Sequence, residues 1–103
     1  MYKLISTAID SSEAAHELAD YLVSSDISKC VQIVPGVLSH YKWNGKKEVA
    51  SEYILLVKVQ EKNLESAVAN IERLHSYDAP EIVVADFEIA GAAYREWFDS
   101  SIK

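Results

Sequence analysis

Cys30-Val31-Gln32-Ile33-Val34-Pro35-Gly36-Val37-Leu38-Ser39-His40-Tyr41-Lys42-Trp43-Asn44-Gly45-Lys46-Lys47-Glu48-Val49-Ala50-Ser51-Glu52-Tyr53-Ile54-Leu55-Leu56-Val57-Lys58-Val59 decides the fold. Two β-rich arms flank Asn44-Gly45, the dipeptide best suited to a type I′ turn because both central residues take positive φ. The pattern predicts a long hairpin with arms over 30–43 and 46–59. Each arm would extend roughly 46 Å at ~3.3 Å per residue, far beyond a domain whose radius of gyration should be near ~13 Å. The hairpin must therefore overhang its own domain. Pro35-Gly36 interrupts the first arm, and proline cannot donate to the ladder, so a bend or bulge is expected where that arm leaves the parent sheet.

Upstream, Tyr2 to Ile9 reads as a short strand that stops at Asp10. Asp10-Ser11-Ser12-Glu13 then has the spacing of a capping box. Ala14, Ala15, Leu18, Ala19, Leu22 and Val23 recur on one stripe at the helical period, which predicts a first helix. Downstream, Leu64, Ala67, Val68, Ile71 and Leu74 mark a second amphipathic helix with Asn63 as its cap. After the loop His75-Ser76-Tyr77-Asp78-Ala79-Pro80, Glu81 to Ile89 reads as a last strand. Ala92 to Phe98 reads as a terminal helix carrying Tyr94, Trp97 and Phe98. The order βαββαβ plus a C-terminal helix gives an α+β, ferredoxin-like split β-α-β sheet with both main helices on one face. Its other face would be uncovered. An overhanging hairpin and an open apolar face each favour self-association, and a closed symmetric oligomer would resolve both.

At 103 residues the chain can bury roughly 65% of its unfolded surface in one core, so residues 1–103 are expected to form a single domain. Sixteen acidic against ten basic side chains give a net charge of −6, a field that repels phosphate backbones and anionic membranes. No nucleic-acid partner is expected on that ground, and the central strands also lack the RNP aromatic pattern. No apolar run approaches the ~18 residues of a membrane span, and the opening Met1 to Asp10 is too short and polar for a secretory core. A cytoplasmic location is the expectation. One cysteine, Cys30, excludes an internal disulfide and a one-chain Cys₂His₂ or Cys₄ zinc site. The sequence has no phosphate loop, Ser-x-x-Lys or His-Glu-x-x-His arrangement and no cysteine flanked by a recognisable base, so no enzyme activity is expected.

Cys30-Val31-Gln32-Ile33-Val34-Pro35-Gly36-Val37, then Tyr41-Lys42-Trp43-Asn44-Gly45-Lys46, Glu48, Glu52 and Lys58, resembles the signature of the CutA divalent-cation-tolerance family. His75-Ser76-Tyr77-Asp78-Ala79-Pro80-Glu81-Ile82 is similar to that family's His-Pro-Tyr-x-x-Pro-Glu-Ile loop. Gly91-Ala92-Ala93-Tyr94-Arg95-Glu96-Trp97 is similar to its closing Gly-x-x-Tyr-x-x-Trp. The resemblance implies a homotrimer of ferredoxin-like subunits with paired hairpins, akin in shape to PII-type signalling trimers. It implies tolerance of divalent metals, copper above all, with signalling or assembly anchoring as other roles and no organic cofactor. Three positions depart from the pattern: Ser28-Lys29 stands where the family often has Ala-Ala, Ser76 replaces Pro, and Ser6 aligns with a first-strand cysteine found in some members.

Copper requires convergent thiolate or imidazole ligands, and the resemblance points to Cys30 and His75 for Cu(II) or another divalent cation. Against this, unpaired cysteine is commonly a small buried hydrophobe. A histidine ending a helix is equally explained by its carbonyls and dipole. Tyr41, Trp43, Lys58, Tyr77, Glu81 and Trp97 form a second candidate set, aromatic bodies beside an acid and a base, suited to a small-ligand cleft between subunits or to a plain interface. Glu48 and Glu52, ~13 Å apart along a strand, read as solvated charges. His16 and His40 are assigned no role. The leading expectation is a trimeric copper-binding tolerance protein; a PII-like regulator with an intersubunit ligand cleft and a structural trimeric anchor are the alternatives.

Overall fold

The computed structural model describes residues 1–100. Strand β1 (Tyr2–Ile9) is followed by helix α1 (Ser12–Ser24), the hairpin strands β2 (Cys30–Trp43) and β3 (Lys46–Gln60), and a 3₁₀ turn (Glu61–Asn63). Helix α2 (Leu64–Leu74), strand β4 (Val83–Phe87) and helix α3 (Ala92–Asp99) complete the order. The four strands form one sheet in the order β2-β3-β1-β4, with every neighbouring pair antiparallel. This is the ferredoxin-like α+β arrangement.

Alternation along the strands explains the core. Ile5 and Ile9 of β1 and Leu55, Val57 and Val59 of β3 point to one face, where they meet Ala15, Leu18 and Leu22 of α1 and Ala67 and Ile71 of α2. Thr7 lies between Ile5 and Ile9 on that face, fully buried, and its hydroxyl has no hydrogen-bond partner among the described residues. Val23 and Leu74, expected on the apolar stripes, are instead exposed at the last turns of their helices.

Three local expectations are corrected. The cap of α1 is Ser11, whose Oγ accepts the amide of Ala14 at 3.2 Å, so the box does not begin at Asp10. Asn63 holds the cap position of α2 at the end of a 3₁₀ turn, but its side chain makes no capping bond and its amide donates instead to the carbonyl of Ile27 at 3.4 Å. The last strand is five residues long and begins at Val83, because only the residues opposite Tyr2 to Ser6 find a partner.

The hairpin matches the sequence expectation closely. Asn44 and Gly45 have φ of 52° and 78°, and pairing runs from Trp43 opposite Lys46 down to Cys30 opposite Lys58. Strand β1 opposes only Tyr53 to Gln60, so 37–43 and 46–52 project past the sheet and give the molecule a long axis of 46 Å. Val34 pairs with Ile54 and Val37 with Glu52, leaving Pro35 and Gly36 together opposite Tyr53 in a bulge, with Gly36 at φ 70°. That additional residue resets the alternation. Cys30, Gln32 and Val34 lie on the face away from α1 and α2, and after the bulge Val37, Ser39, Tyr41 and Trp43 continue on that same face.

The face opposite the helices is only partly open, in contrast to the uncovered face expected. Helix α3 lies over one end of it, where Phe98 packs against Tyr2 and Phe87 with ring centroids 5.5 and 6.4 Å apart. Farther along, Val34 and Val83 stay exposed.

Candidate functional site

At the base of the overhang the hairpin, the end of β1 and the loop between α2 and β4 enclose a groove of about 770 Å³. Ser39 and Ala50 are cross-strand partners, and these two small side chains leave room at its floor. Tyr41 and Trp43 rise from β2 on one side. Glu52 stands at the hairpin base, and Ser76, Tyr77, Asp78, Ala79 and Glu81 close the other side, with Ala8 and Asp10 from β1.

His75 fixes the loop that forms this second wall. It is 8% exposed, its Nδ1 accepts the amide of Tyr77 at 3.0 Å, and its Nε2 lies 2.8 Å from the carbonyl of Ala8. Since the backbone amide must be the donor at Nδ1, the ring proton is on Nε2 and is donated to Ala8. The imidazole therefore bonds to β1 rather than to the closing carbonyls of its own helix. Its ring also packs on Tyr77 with centroids 4.7 Å apart.

Tyr77 in turn donates its hydroxyl to Oε2 of Glu52 at 2.7 Å. Glu52 is 6% exposed, which corrects the reading of it as a solvated charge. The other oxygen, Oε1, receives no hydrogen bond from the described residues. Burial, the bond to Glu52 and the charges of Glu52 and Asp10 push the Tyr77 phenol well above its usual value. Four carboxylates, Asp10, Glu52, Asp78 and Glu81, border the groove without a lysine or arginine, and none has an ion-pair partner among the described residues.

Of the six cleft candidates, Tyr41, Trp43, Tyr77 and Glu81 converge here, whereas Lys58 and Trp97 lie toward the other end of the sheet. The Lys58 ammonium sits 5.5 Å from the Tyr94 ring centre. Trp97 is covered by Lys29, whose ammonium is 5.3 Å from the ring centre and donates to the Trp97 carbonyl at 2.7 Å. Cys30 belongs to this second cluster. It is half-buried rather than fully buried, and burial first, then the neighbouring Cys30, pushes the Tyr94 phenol up to about 12.

Cys30 and His75 are thus far apart. Cys30 pairs with Lys58, which opposes Leu4, whereas His75 is bonded at Ala8; four residues of β1 separate the two levels by ~13 Å. No group of three or more His, Cys, Asp or Glu residues suited to a metal ion occurs among the described residues. Within one chain Cys30 and His75 do not fit a shared copper site. The groove residues missed in the sequence are Asp10, His40, Glu52 and Asp78. For Glu52, the signal was its place opposite Val37, immediately beyond the bulge.

A ferredoxin-like sheet with an overhanging hairpin and an aromatic, acidic groove at the hairpin base defines the class of protein. Residues 3–101 match the family model of the CutA1 divalent ion tolerance protein, and the chain belongs to that family. Two bacterial relatives are both called divalent-cation tolerance protein CutA. That of Thermus thermophilus is 32% identical over 97 residues, 94% of either chain. That of Pectobacterium atrosepticum is 30% identical over 100 residues, 97% of this chain and 90% of the other. The solved Thermus thermophilus structure superposes with a TM-score of 0.89 at 32% identity, covering 95% of both chains. The chain spans only 56% and 55% of two chloroplastic CutA proteins, from Oryza sativa and Arabidopsis thaliana.

Proposed function

We propose that this chain acts in divalent-cation tolerance as a homotrimer in the cytoplasm, without enzymatic turnover, and that its working site is the groove at the hairpin base. The observation that carries this reading is the convergence of Tyr41, Trp43, Glu52, Tyr77 and Glu81 on one groove of about 770 Å³, a size suited to a small ligand. Occupancy there would be felt along the hairpin, as in a PII-like regulator, since Tyr41 and Trp43 are hairpin residues. The trimer is supported by the overhang itself. Leu38 and Val49 are 67% and 60% exposed on it, and β2 and β4 are unpaired edges.

Two measurements test this. Sedimentation should give about three times the 11.5 kDa chain mass, and Leu38→Lys with Val49→Lys should lower it; a stable monomer at micromolar concentration sinks the assembly. In a Trp97→Phe background, a ligand of the groove should quench Trp43 emission and lose that effect in Tyr41→Ala.

Copper binding through Cys30 and His75 is the second reading, favoured only by the family's relation to divalent ions. It requires ligands shared between subunits. Calorimetric titration of metal-stripped protein with Cu(II), beside Cys30→Ala and a zinc control, decides it: submicromolar affinity in fixed ratio to trimer, lost in the variant, would restore it.

A further inference from the structure

We propose that the groove selects a small organic cation bearing N–H donors, an alkylammonium or guanidinium compound. This rests on the groove being the working site, and it names the chemical class of the ligand. The groove is bordered by Asp10, Glu52, Asp78 and Glu81 with no lysine or arginine to offset them; His40 is its one basic side chain. Inorganic cations need several oxygens in one tight shell, yet these carboxylates form no such group. They are spread around an aromatic wall. Tyr41 and Trp43 line the groove, and aromatic rings attract ammonium and guanidinium groups through their quadrupole. The acceptor left free for a ligand is Oε1 of Glu52. This side chain is 6% exposed and lines the groove, one oxygen is taken by Tyr77, and the other has no donor among the described residues. Among the described residues Thr7 Oγ1 is the one side-chain oxygen both sealed from solvent and unpartnered, so Oε1 of Glu52 stays open to the groove, where a ligand N–H can reach it with a charge-assisted bond. Tyr77 donates its hydroxyl to Oε2, and burial first, then the bond to Glu52, raises its phenol, so Oε1 is the oxygen left for the ligand.

The test uses the full-length Trp97→Phe protein and follows Trp43 emission against putrescine, butanediol and succinate, which share a four-carbon backbone and differ in charge. Putrescine should give a saturable response that weakens with added salt, while the neutral and anionic compounds give none. Glu52→Gln and, independently, the exposed rim variant Glu81→Gln should each weaken putrescine about tenfold, the size expected for a charge-assisted bond. If Glu52→Gln fails to fold by circular dichroism, Glu81→Gln alone carries the test. A saturable succinate or butanediol response lost in Tyr41→Ala would overturn the cation inference and leave the groove standing as a ligand site. No response to millimolar putrescine in the folded protein overturns the inference. A groove ligand of another class, found by the same Trp43 emission, would then keep the functional reading alive.

Discussion

The phenol of Tyr77 and the carboxylate of Glu52 are joined at 2.7 Å across 25 residues of sequence, tying the loop after α2 to the base of the overhanging hairpin. Tyr77→Phe removes the donor and leaves a largely buried carboxylate with neither oxygen bonded by a described residue. Chemical denaturation should show a loss of roughly 1–3 kcal/mol, and Tyr77→Phe combined with Glu52→Gln should lose less than the sum of the two single changes. Additive losses would mean that the two side chains are not coupled.

Thr7→Val should stabilise the protein. The hydroxyl is fully buried between Ile5 and Ile9 with no partner among the described residues, and a methyl group of similar size carries no such penalty. The midpoint of denaturation should rise by the equivalent of about 1 kcal/mol. A fall would mean that the hydroxyl is satisfied in solution.

His75→Ala should destabilise the fold without touching copper affinity. The substitution strips the Ala8 carbonyl and the Tyr77 amide of their shared partner at a site only 8% exposed. A cost of roughly 2 kcal/mol is expected from denaturation, with a Cu(II) isotherm unchanged from the parent. Loss of tight copper binding in a protein that remains folded would return His75 to the ligand list.

Alkaline pH should unfold the domain from above the ordinary tyrosine range. Tyr77 is raised from 10.0, chiefly by burial and then by Glu52, and Tyr94 is raised to about 12, chiefly by burial and then by Cys30. In the unfolded chain both phenols ionise near ~10, so above that pH the folded state holds more protons than the unfolded state. Their contribution is therefore complete below ~10 and is lost as pH climbs toward the folded values. Tyr2, bonded to Asp99, is raised as well, so phenolate absorbance should show three of the six tyrosines titrating late, and Tyr77→Phe should remove one of them.

The hairpin was legible because its signals are local. Asn44-Gly45 demands positive φ at two successive residues, and Pro35-Gly36 cannot continue a regular ladder. The order of elements followed from two periodicities that do not overlap. The site was legible only in half. Tyr41, Trp43, Tyr77 and Glu81 share residue chemistry with Lys58 and Trp97, but only the sheet register shows that the last two lie toward the opposite end of β3. Glu52 was misread because spacing along a strand says nothing about what another loop lays over it. His75 was placed correctly at the end of α2, yet its partner on β1 is 67 residues away, and no local pattern announces such a bond. The cap at Ser11 was displaced by one residue because Asp10, Ser11 and Ser12 are all competent caps, and only backbone geometry chooses among them.

From Val37 to the turn, the hairpin keeps count in twos. An exchange of one side chain for another alters the groove wall, but gain or loss of a single residue in that span turns Tyr41 and Trp43 to the far side. Only a matching change at the Pro35-Gly36 bulge could undo it. Descent should therefore be permissive toward spelling in this arm and strict about its length, with any lone insertion accompanied by a second one that restores parity.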